Sequence, residues 1–384
     1  MPTAPATTEI APASGIRFTV ASRPQRRFSA TQTVSNLNGA TSFQPIALPA
    51  TGFVRKISCF FTVTCTSASA GAIVAGDGPW NLVSATLSDA TGQPVVQPLG
   101  GYAWRLKNKY FGTGTDVQAF GPYNDPMFTP EYAYSSTATT GTATFRLDID
   151  LESDASTGYG CIPNLDANAS LQLKIDVAAI TQAFSGTTMS AATVSVRVTQ
   201  HYWAPVGSSL GGVPNATSPS GLGDFIETRY ENQSATASAE NTVAVTNRGG
   251  LVKGIIAVSR AAGVRTAFTA GTNVGLVYDN NAVDEGITLE EHKDMMRRTY
   301  GYVGAELNTS YAPLSAGVLP GLDTGVLVWP FFTMSGPDNR DSWLSTRVGT
   351  LLQLKVTPGA AATQLELITE LAQVRDAASF YEKF

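Results

Sequence analysis

The chain has 384 residues, a length that suits two domains better than one. Charged residues make up 14% of it, against about 25% in an average soluble domain, and Thr, Ser, Ala and Gly take their place. This composition is typical of a β-rich protein that buries much of its surface against neighbouring subunits. The net charge of −5 excludes a nucleic-acid-binding surface that extends over the whole chain.

The three cysteines indicate a reduced protein. Cys59 and Cys65 share one apolar stretch, and a strand would hold them about 20 Å apart, too far for a disulfide. Cys161 is isolated and no Cys-x-x-Cys spacing occurs, so we expect three buried thiols, no metal and no cofactor. No apolar run approaches the ~18 residues of a membrane helix, and no secretory signal is recognisable. We therefore expect synthesis and folding in a reducing cytoplasm.

Residues 1–44 are predicted to form an N-terminal arm, because they are rich in Thr, Ala and Pro and show little periodicity. Phe18 and Phe28 supply apolar anchors beside the basic residues of this segment, which are Arg17, Arg23, Arg26 and Arg27. Such a pattern predicts contact with an anionic surface, either lipid headgroups or packaged nucleic acid. The alternative is a disordered tail.

A strand-rich domain is predicted over residues 45–205. Apolar residues alternate with polar ones from Ile57 to Cys65, from Phe145 to Leu151, from Leu171 to Val177 and from Val194 to Val198, which is the pattern of half-buried strands. Glycine and proline between these runs favour antiparallel sheets.

The stretch from Gly76 to Gly92 resembles a ligand loop at its start. No lysine or helix signal follows the glycines, which excludes a phosphate loop, and Asp77 has no neighbouring oxygen ligands for calcium. We interpret Gly76–Pro79 as a turn, Trp80 as an apolar anchor and Asp89–Gly92 as the turn of a hairpin.

Candidate catalytic residues are few. The two histidines, His201 and His292, lack a recognisable nucleophile or orienting carboxylate and are interpreted as structural or surface residues. Three carboxylates on one strand face could bind calcium, but we interpret them as a solvated or intersubunit face; they are Asp148, Asp150 and Glu152.

Residues 206–240 have the composition of a linker. They contain Gly207-Ser208-Ser209-Leu210-Gly211, which matches the G-x-S-x-G nucleophile elbow, but the following residues cannot start the helix that this motif requires. A second strand-rich domain is predicted over residues 241–375 and a tail over residues 376–384.

The second domain contains the clearest helix signal of the chain. Thr288 and Glu291 fit a capping box, which predicts a helix from Leu289 to Tyr300. The segment from Thr363 onwards fits a strand or a helix, and we favour a final strand. Val54-Arg55-Lys56-Ile57 and Val252-Lys253-Gly254-Ile255 open the two strand-rich domains with similar residues, which indicates two tandem domains of one type.

In this order of features the chain resembles the major capsid proteins of tectivirus-type, membrane-containing icosahedral bacteriophages. The resemblance covers about residues 50–375. It rests on Val54–Ile57, Gly78–Val83, Gly101–Leu106, Ile162–Leu165, Leu171–Ile175 and, more weakly, Asp338–Asp341.

The resemblance implies an all-β fold of two tandem eight-stranded jelly rolls with few short helices and an N-terminal arm. It also implies a non-enzymatic homotrimer, whose pseudo-hexagonal capsomers tile a virion shell assembled in the host cytoplasm. Further implied partners are neighbouring capsomers, minor capsid or penton proteins and an internal membrane beneath the arm. Loops such as Gly112–Thr140 and Gly271–Gly286 would decorate the outside or lock neighbours together.

Two other hypotheses stay open at this point. In a carbohydrate-binding or adhesin-like β-sandwich, exposed aromatic residues would be sugar platforms, namely Trp80, Trp104, Trp203 and Trp343. In a hydrolase, Ser209 or the carboxylates around Asp148 would act on substrate.

Overall fold

The computed structural model describes most of the chain. The described residues are 16–35, 38–67, 73–74, 77–112, 131–134, 140–182, 184–185, 189–219, 225–246, 249–279, 281–300, 305–307, 318–320, 323–331, 343–346 and 351–373. Most of the predicted loop Gly112–Thr140, the motif Asp338–Asp341 and the predicted tail 376–384 lie outside them. None of the helices within the described residues is long and apolar enough to cross a membrane.

The first half of the chain contains thirteen of the strands described. In chain order they are β1 (Pro24–Ser35), β2 (Thr41–Ser42), β3 (Ile46–Ala47), β4 (Gly52–Ser67), β5 (Ile73–Val74), β6 (Val83–Ser88), β7 (Pro94–Gly100), β8 (Glu131–Tyr134), β9 (Thr140–Asp150), β10 (Ile162–Asn164), β11 (Gln172–Val177), β12 (Phe184–Ser185) and β13 (Met189–Trp203).

A hairpin and the second half follow. The hairpin strands are β14 (Ser209–Leu210) and β15 (Val213–Pro214). The strands of the second half are β16 (Phe225–Ser234), β17 (Asn241–Ala244), β18 (Leu251–Ala261), β19 (Val264–Arg265), β20 (Asn273–Tyr278), β21 (Asn281–Thr288), β22 (Ala305–Leu307), β23 (Val318–Pro320), β24 (Val326–Pro330), β25 (Leu344–Ser345), β26 (Leu352–Val356) and β27 (Gln364–Gln373).

Each half is a jelly roll made of two antiparallel sheets. In the first half, a long sheet runs β1-β13-β4-β9-β8 and a short sheet runs β2-β11-β6-β7. In the second half, β16-β27-β18 with β24 forms the long sheet, and β17-β26-β20-β21 forms the short sheet. Equivalent strands follow one another in the same order along the chain and take the same places in the sheets of both halves, so the two jelly rolls are structural repeats. The predicted all-β fold of two tandem jelly rolls is confirmed.

The alternating runs of the sequence form the strands that they predicted. On β4 the side chains of Ile57, Cys59 and Phe61 are buried between the two sheets, whereas Phe60 and Thr64 point outward and are exposed. The alternation exists because successive strand residues point to opposite faces, and only one face of this sheet meets the core.

The short sequence echo marks equivalent positions of the two repeats. Val54–Ile57 lies near the start of β4, and Val252–Ile255 near the start of β18. Both segments contain a β-bulge, because the register with the neighbouring strand shifts at Arg55 and again at Lys253. A bulge at the same place in both repeats is a feature of the shared architecture.

The predicted domain boundaries differ from the sheets that the structure contains. Strand β1 lies within the predicted arm but pairs along its length with β13, and β16 lies within the predicted linker but pairs with β27. The sheets place the first jelly roll at residues 24–203 and the second at 225–373. Both jelly rolls begin earlier than predicted. The sequence does not reveal their first strands, because these two edge strands are polar and show little alternation.

Two further predictions concern the second half. Strands β20 and β21 form a hairpin, so the segment Gly271–Gly286 is not the long loop expected from the sequence. The predicted final strand is confirmed as β27.

Three α-helices are described: α1 (Phe18–Ala21), α2 (Gly101–Phe111) and α3 (Leu289–Tyr300). Helix α3 and its capping box are confirmed, since Thr288 and Glu291 exchange hydrogen bonds. Helix α2 was not predicted. Its N-cap, Gly100, supplies no side-chain bond, and its polar residues follow no single face.

Candidate functional site: the interface between the two jelly rolls

Helix α2 belongs to the first jelly roll by sequence but contacts both. It lies against β6, β7 and β9 of the first half and against β18, β24 and β27 of the second. All eleven of its residues are buried. Its apolar side chains join the cores of the two jelly rolls into one continuous cluster. The interface therefore resembles a protein core more than a contact between separate domains.

The C-terminal end of α2 is fitted to the second long sheet. Any Cβ atom at position 254 would overlap the ring of Phe111, so Gly254 is required for this close approach. Next to it, Lys253 Nζ donates a hydrogen bond of 2.5 Å to the carbonyl oxygen of Phe111. A buried cation at a helix C-terminus is stabilised by the helix dipole.

Charged residues of α2 pair with carboxylates of the second jelly roll. Arg105 binds Asp323 at 3.1 Å, and Lys109 binds the other oxygen of the same carboxylate. Glu370 lies 3.8 Å from Lys107 and 3.5 Å from Lys253. Burial alone would lower the pKa of Arg105, but Asp323 together with Tyr102 and Tyr110 outweighs it and raises that pKa, so the guanidinium stays charged.

Asp77 forms a second ionic contact between the halves. Its carboxylate binds Arg265 at 2.6 Å and Arg260 at 2.7 Å, and Arg260 also binds Glu366 at 2.6 Å. The guanidiniums of Arg265 and Arg260 lie 4.8 Å and 5.6 Å from the ring of Tyr102 on α2, a cation–π arrangement. The residue that stood alone in the sequence is thus paired across the interface.

A groove opens beside this cluster. It has a volume of about 740 Å³, and its walls come from both jelly rolls, including Ser42, Asp176, Tyr230 and Glu366.

Solved structures share this two-part architecture, although no family model and no curated protein matches the sequence. The STIV MCP has a TM-score of 0.59 at 13% identity, over 94% of this chain and 99% of that one. The chain in the structure of Sulfolobus Turreted Icosahedral Virus has a TM-score of 0.57 at 14% identity, and the match covers 93% of each chain. PBCV-1 VP54, fitted into a reconstruction of the virophage Sputnik, has a TM-score of 0.51 at 10% identity, and the match covers 92% of this chain and 98% of that one. The chain has the double jelly-roll fold of viral major capsid proteins.

In this double jelly roll the aromatic residues are internal. All five tryptophans of the sequence are buried, so the exposed sugar platforms expected of a carbohydrate-binding protein do not exist at these positions. Trp80 is the apolar anchor that was predicted. It lies within a short 3-10 helix, Gly78–Leu82, that leads into β6, and its Nε1 donates to the carbonyl oxygen of Arg146 at 3.2 Å.

The prediction of a solvated or intersubunit carboxylate face is wrong for two of its three residues. Asp148 and Glu152 are buried, and each is paired with a cation inside the chain. Glu152 binds Arg55 at 2.5 Å and accepts a hydrogen bond from the indole of Trp203, whereas Asp148 binds Arg146 at 2.8 Å. Among the described residues no group of three or more metal-type side chains comes together.

The histidines are packed within the jelly rolls. His201 is half-buried and lies 3.2 Å from Ser58 Oγ, and burial, helped by nearby Lys56, lowers its pKa to about 4. His292 is buried on α3 with its ring 5.0 Å from that of Trp329, and burial lowers its pKa to about 4 as well. Both are therefore neutral at pH 7, in agreement with structural roles. Ser209 lies in the β14–β15 hairpin and not on a strand-to-helix elbow.

The three thiols are free and buried, as predicted. Burial raises the pKa of Cys65 to about 11 and that of Cys59 further, so neither forms a thiolate at neutral pH.

The predicted arm arginines lie on the surface of the first jelly roll. Arg17 precedes α1, Arg23 precedes β1, and Arg26 and Arg27 lie on β1; all four are exposed. Their neighbouring phenylalanines differ in role. Phe18 is buried against Phe53 and Trp203, whereas Phe28 is half-exposed, so only the latter is available to an external surface; the ring centroids of Phe18 and Phe53 are 5.2 Å apart.

Proposed function

We propose that the chain is the major capsid protein of an icosahedral virus and has no enzymatic role. The observation that carries this proposal is the pair of jelly rolls with one strand order, joined by a fully buried helix. Such a subunit is a stiff block with two similar lobes. A shell needs this stiffness, because the position of each lobe must be fixed before neighbouring subunits can tile a lattice.

Three copies of a two-lobed block supply six similar lobes, which is the basis of a pseudo-hexagonal capsomer. The low charge content of the chain supports large contacts between copies, since obligate interfaces commonly bury more than about 2,000 Å². Further proposed partners are neighbouring capsomers and minor capsid or penton proteins. The proposed location is the virion, after assembly in the host cytoplasm.

The exposed arginines around α1 and β1 are proposed to face the inside of the shell and to contact lipid or packaged nucleic acid. Support comes from four exposed guanidiniums in the segment before and at the start of β1; they are Arg17, Arg23, Arg26 and Arg27. Binding of the purified protein to anionic vesicles, compared with neutral vesicles and with short DNA, tests this contact and distinguishes the two surfaces.

Native mass spectrometry of the purified chain tests the assembly. We expect a species of three times the subunit mass of 40.3 kDa, and negative-stain images of particles with a hexagonal outline. A monodisperse monomer under all conditions that keep the chain folded would overturn the proposed function.

A further inference from the structure

Helix α3 occupies in the second jelly roll the place that α2 occupies in the first. Helix α2 directly follows β7 and contacts β6, β7 and β9 of its own jelly roll. Helix α3 directly follows β21 and contacts β20, β21 and β24, which are the equivalent strands. Leu289 and Met296 of α3 are buried against these strands. The two helices are therefore equivalent elements of the two repeats.

Their outer sides differ. The side of α2 that faces away from its own jelly roll is covered by the second long sheet. The corresponding side of α3 is exposed, and its side chains include Glu290, Met295 and Arg298. Met295, near the centre of the helix, is 42% exposed.

The outer face of the first long sheet is exposed in the same way. Its equivalent in the second jelly roll is the face on which α2 lies. On the first long sheet, Phe28 of β1 and Phe60 of β4 are each 48% exposed. Arg197 of β13 lies between them, opposite Phe60 and with its guanidinium 4.9 Å from the ring of Phe28. Arg146 of β9 lies on the other side of Phe60. The result is a row of alternating aromatic and basic side chains across four strands.

We propose that α3 of one copy packs on this outer face of the first long sheet of the next copy. The contact repeats between chains the α2 contact that exists within one chain. It is a head-to-tail interface, which closes into a ring when the rotation between copies is one third of a turn. The proposal rests on the proposed trimer and assigns the surfaces that hold it together.

The dimensions and chemistry of the two surfaces agree. A helix of 12 residues is about 18 Å long, close to the roughly 20 Å of β18 along which α2 lies, from Gly254 beside Phe111 to Arg260 beside Tyr102. Met295 supplies a flexible thioether to the two phenylalanine rings, a favourable contact. Glu290 in the first turn of α3 supplies negative charge to a face that carries Arg197 and Arg146.

The outer faces of the two long sheets differ in polarity because one is covered during folding and the other only on assembly. Strand β18 is buried at every position from Leu251 to Arg260, because α2 covers its outer face in the folded chain. On β4 the outer face carries Thr62 and Thr64 beside Phe60, so an unassembled subunit exposes only isolated apolar residues. An interface that forms after folding requires this restraint, since a large exposed apolar face causes aggregation.

Cross-linking between copies tests the assignment. Chains carrying Met295→Cys are co-expressed with differently tagged chains carrying Thr62→Cys, which lies two residues from Phe60 on the same face of β4. A short bis-maleimide should join the two chains covalently, while each variant alone should give no product, because the native cysteines are buried. Val264→Cys, at an exposed position of edge strand β19 in the second jelly roll, replaces Met295→Cys as the control and should give no cross-link.

A second measurement uses the trimer itself. Phe60→Glu places a charge at the centre of the interface and should raise the dissociation constant of the trimer by more than about tenfold, whereas Val264→Glu should leave it unchanged. The melting temperature of the separated subunit checks that folding is intact, and Met295→Glu is the replacement if it is not. A stable trimer that neither cross-links nor responds to these substitutions overturns the assignment but leaves the proposed function. A wild-type monomer overturns both.

Discussion

At the scale of single residues, Asp77 of the first jelly roll is the carboxylate that binds two arginines of the second. It neutralises two buried guanidiniums, those of Arg260 and Arg265, so its removal leaves both without their main counter-charge. We expect Asp77→Ala to lower the free energy of unfolding by about 3–5 kcal/mol, the range found when one partner of a buried ion pair is removed. Denaturant unfolding of the subunit measures this. Glu240→Ala, at an exposed position, is the control, and an equal effect of both substitutions contradicts the interpretation.

His292 gives the subunit a defined response to acid. Because burial lowers its pKa to about 4, the unfolded chain binds a proton at His292 near pH 6.5 while the folded chain does not. Stability is therefore complete above pH 6.5 and is lost as the pH falls towards 4, by up to about 3 kcal/mol from this residue. Between pH 7 and pH 4, the free energy of unfolding should fall less steeply with decreasing pH in His292→Gln than in the wild type. The same pH dependence in both proteins would show that the ring is not buried in its neutral form.

At the scale of elements, the close approach of α2 to β18 depends on Gly254. A methyl group there would overlap the Phe111 ring and approach the carbonyl oxygen of Trp329, so the helix would have to move away from the sheet. We expect Gly254→Ala to destabilise the subunit by about 1–3 kcal/mol, the usual cost of overpacking. Gly207→Ala is the matched control because a Cβ at that position meets open space. A change in melting temperature of the same size in both variants would be evidence against a tight contact.

Sequence patterns predicted the elements whose surroundings are simple: a strand with one face in a core and the other in solvent, or a helix whose capping residues lie close together in sequence. Strand β4 alternates because one face meets a core and the other meets solvent, and α3 begins at Thr288 because its capping box is contained within four residues. Helix α2 was missed because its arginine and lysines are buried. Such residues normally indicate an exposed face, and here their carboxylate partners, such as Asp323, lie more than 200 positions later in the sequence. Strand β1 was missed because its partner, β13, lies 158 to 179 positions later in the sequence.

At the scale of the whole molecule, the buried interface makes two jelly rolls into one mechanical unit. Composition, alternation and the echo at Val54 and Val252 were sufficient to predict two repeats. They could not predict how the repeats are joined, because the joining charges come from α2, β18, β27 and the residues before β24. The continuous apolar cluster through α2 means that neither jelly roll can unfold without exposing part of the other's core.

The subunit should consequently unfold in a single calorimetric transition, with equal calorimetric and van't Hoff enthalpies, although a chain of this length would often unfold domain by domain. Asp323→Ala leaves Arg105 and Lys109 of α2 buried without the carboxylate that they share, and weakens the junction specifically. We expect this variant to show two transitions, one for each jelly roll. Asp294→Ala removes only an exposed pair with Arg298 and should retain the single transition. A single transition of unchanged midpoint in Asp323→Ala would mean that apolar packing around α2, and not the buried charges, couples the two halves.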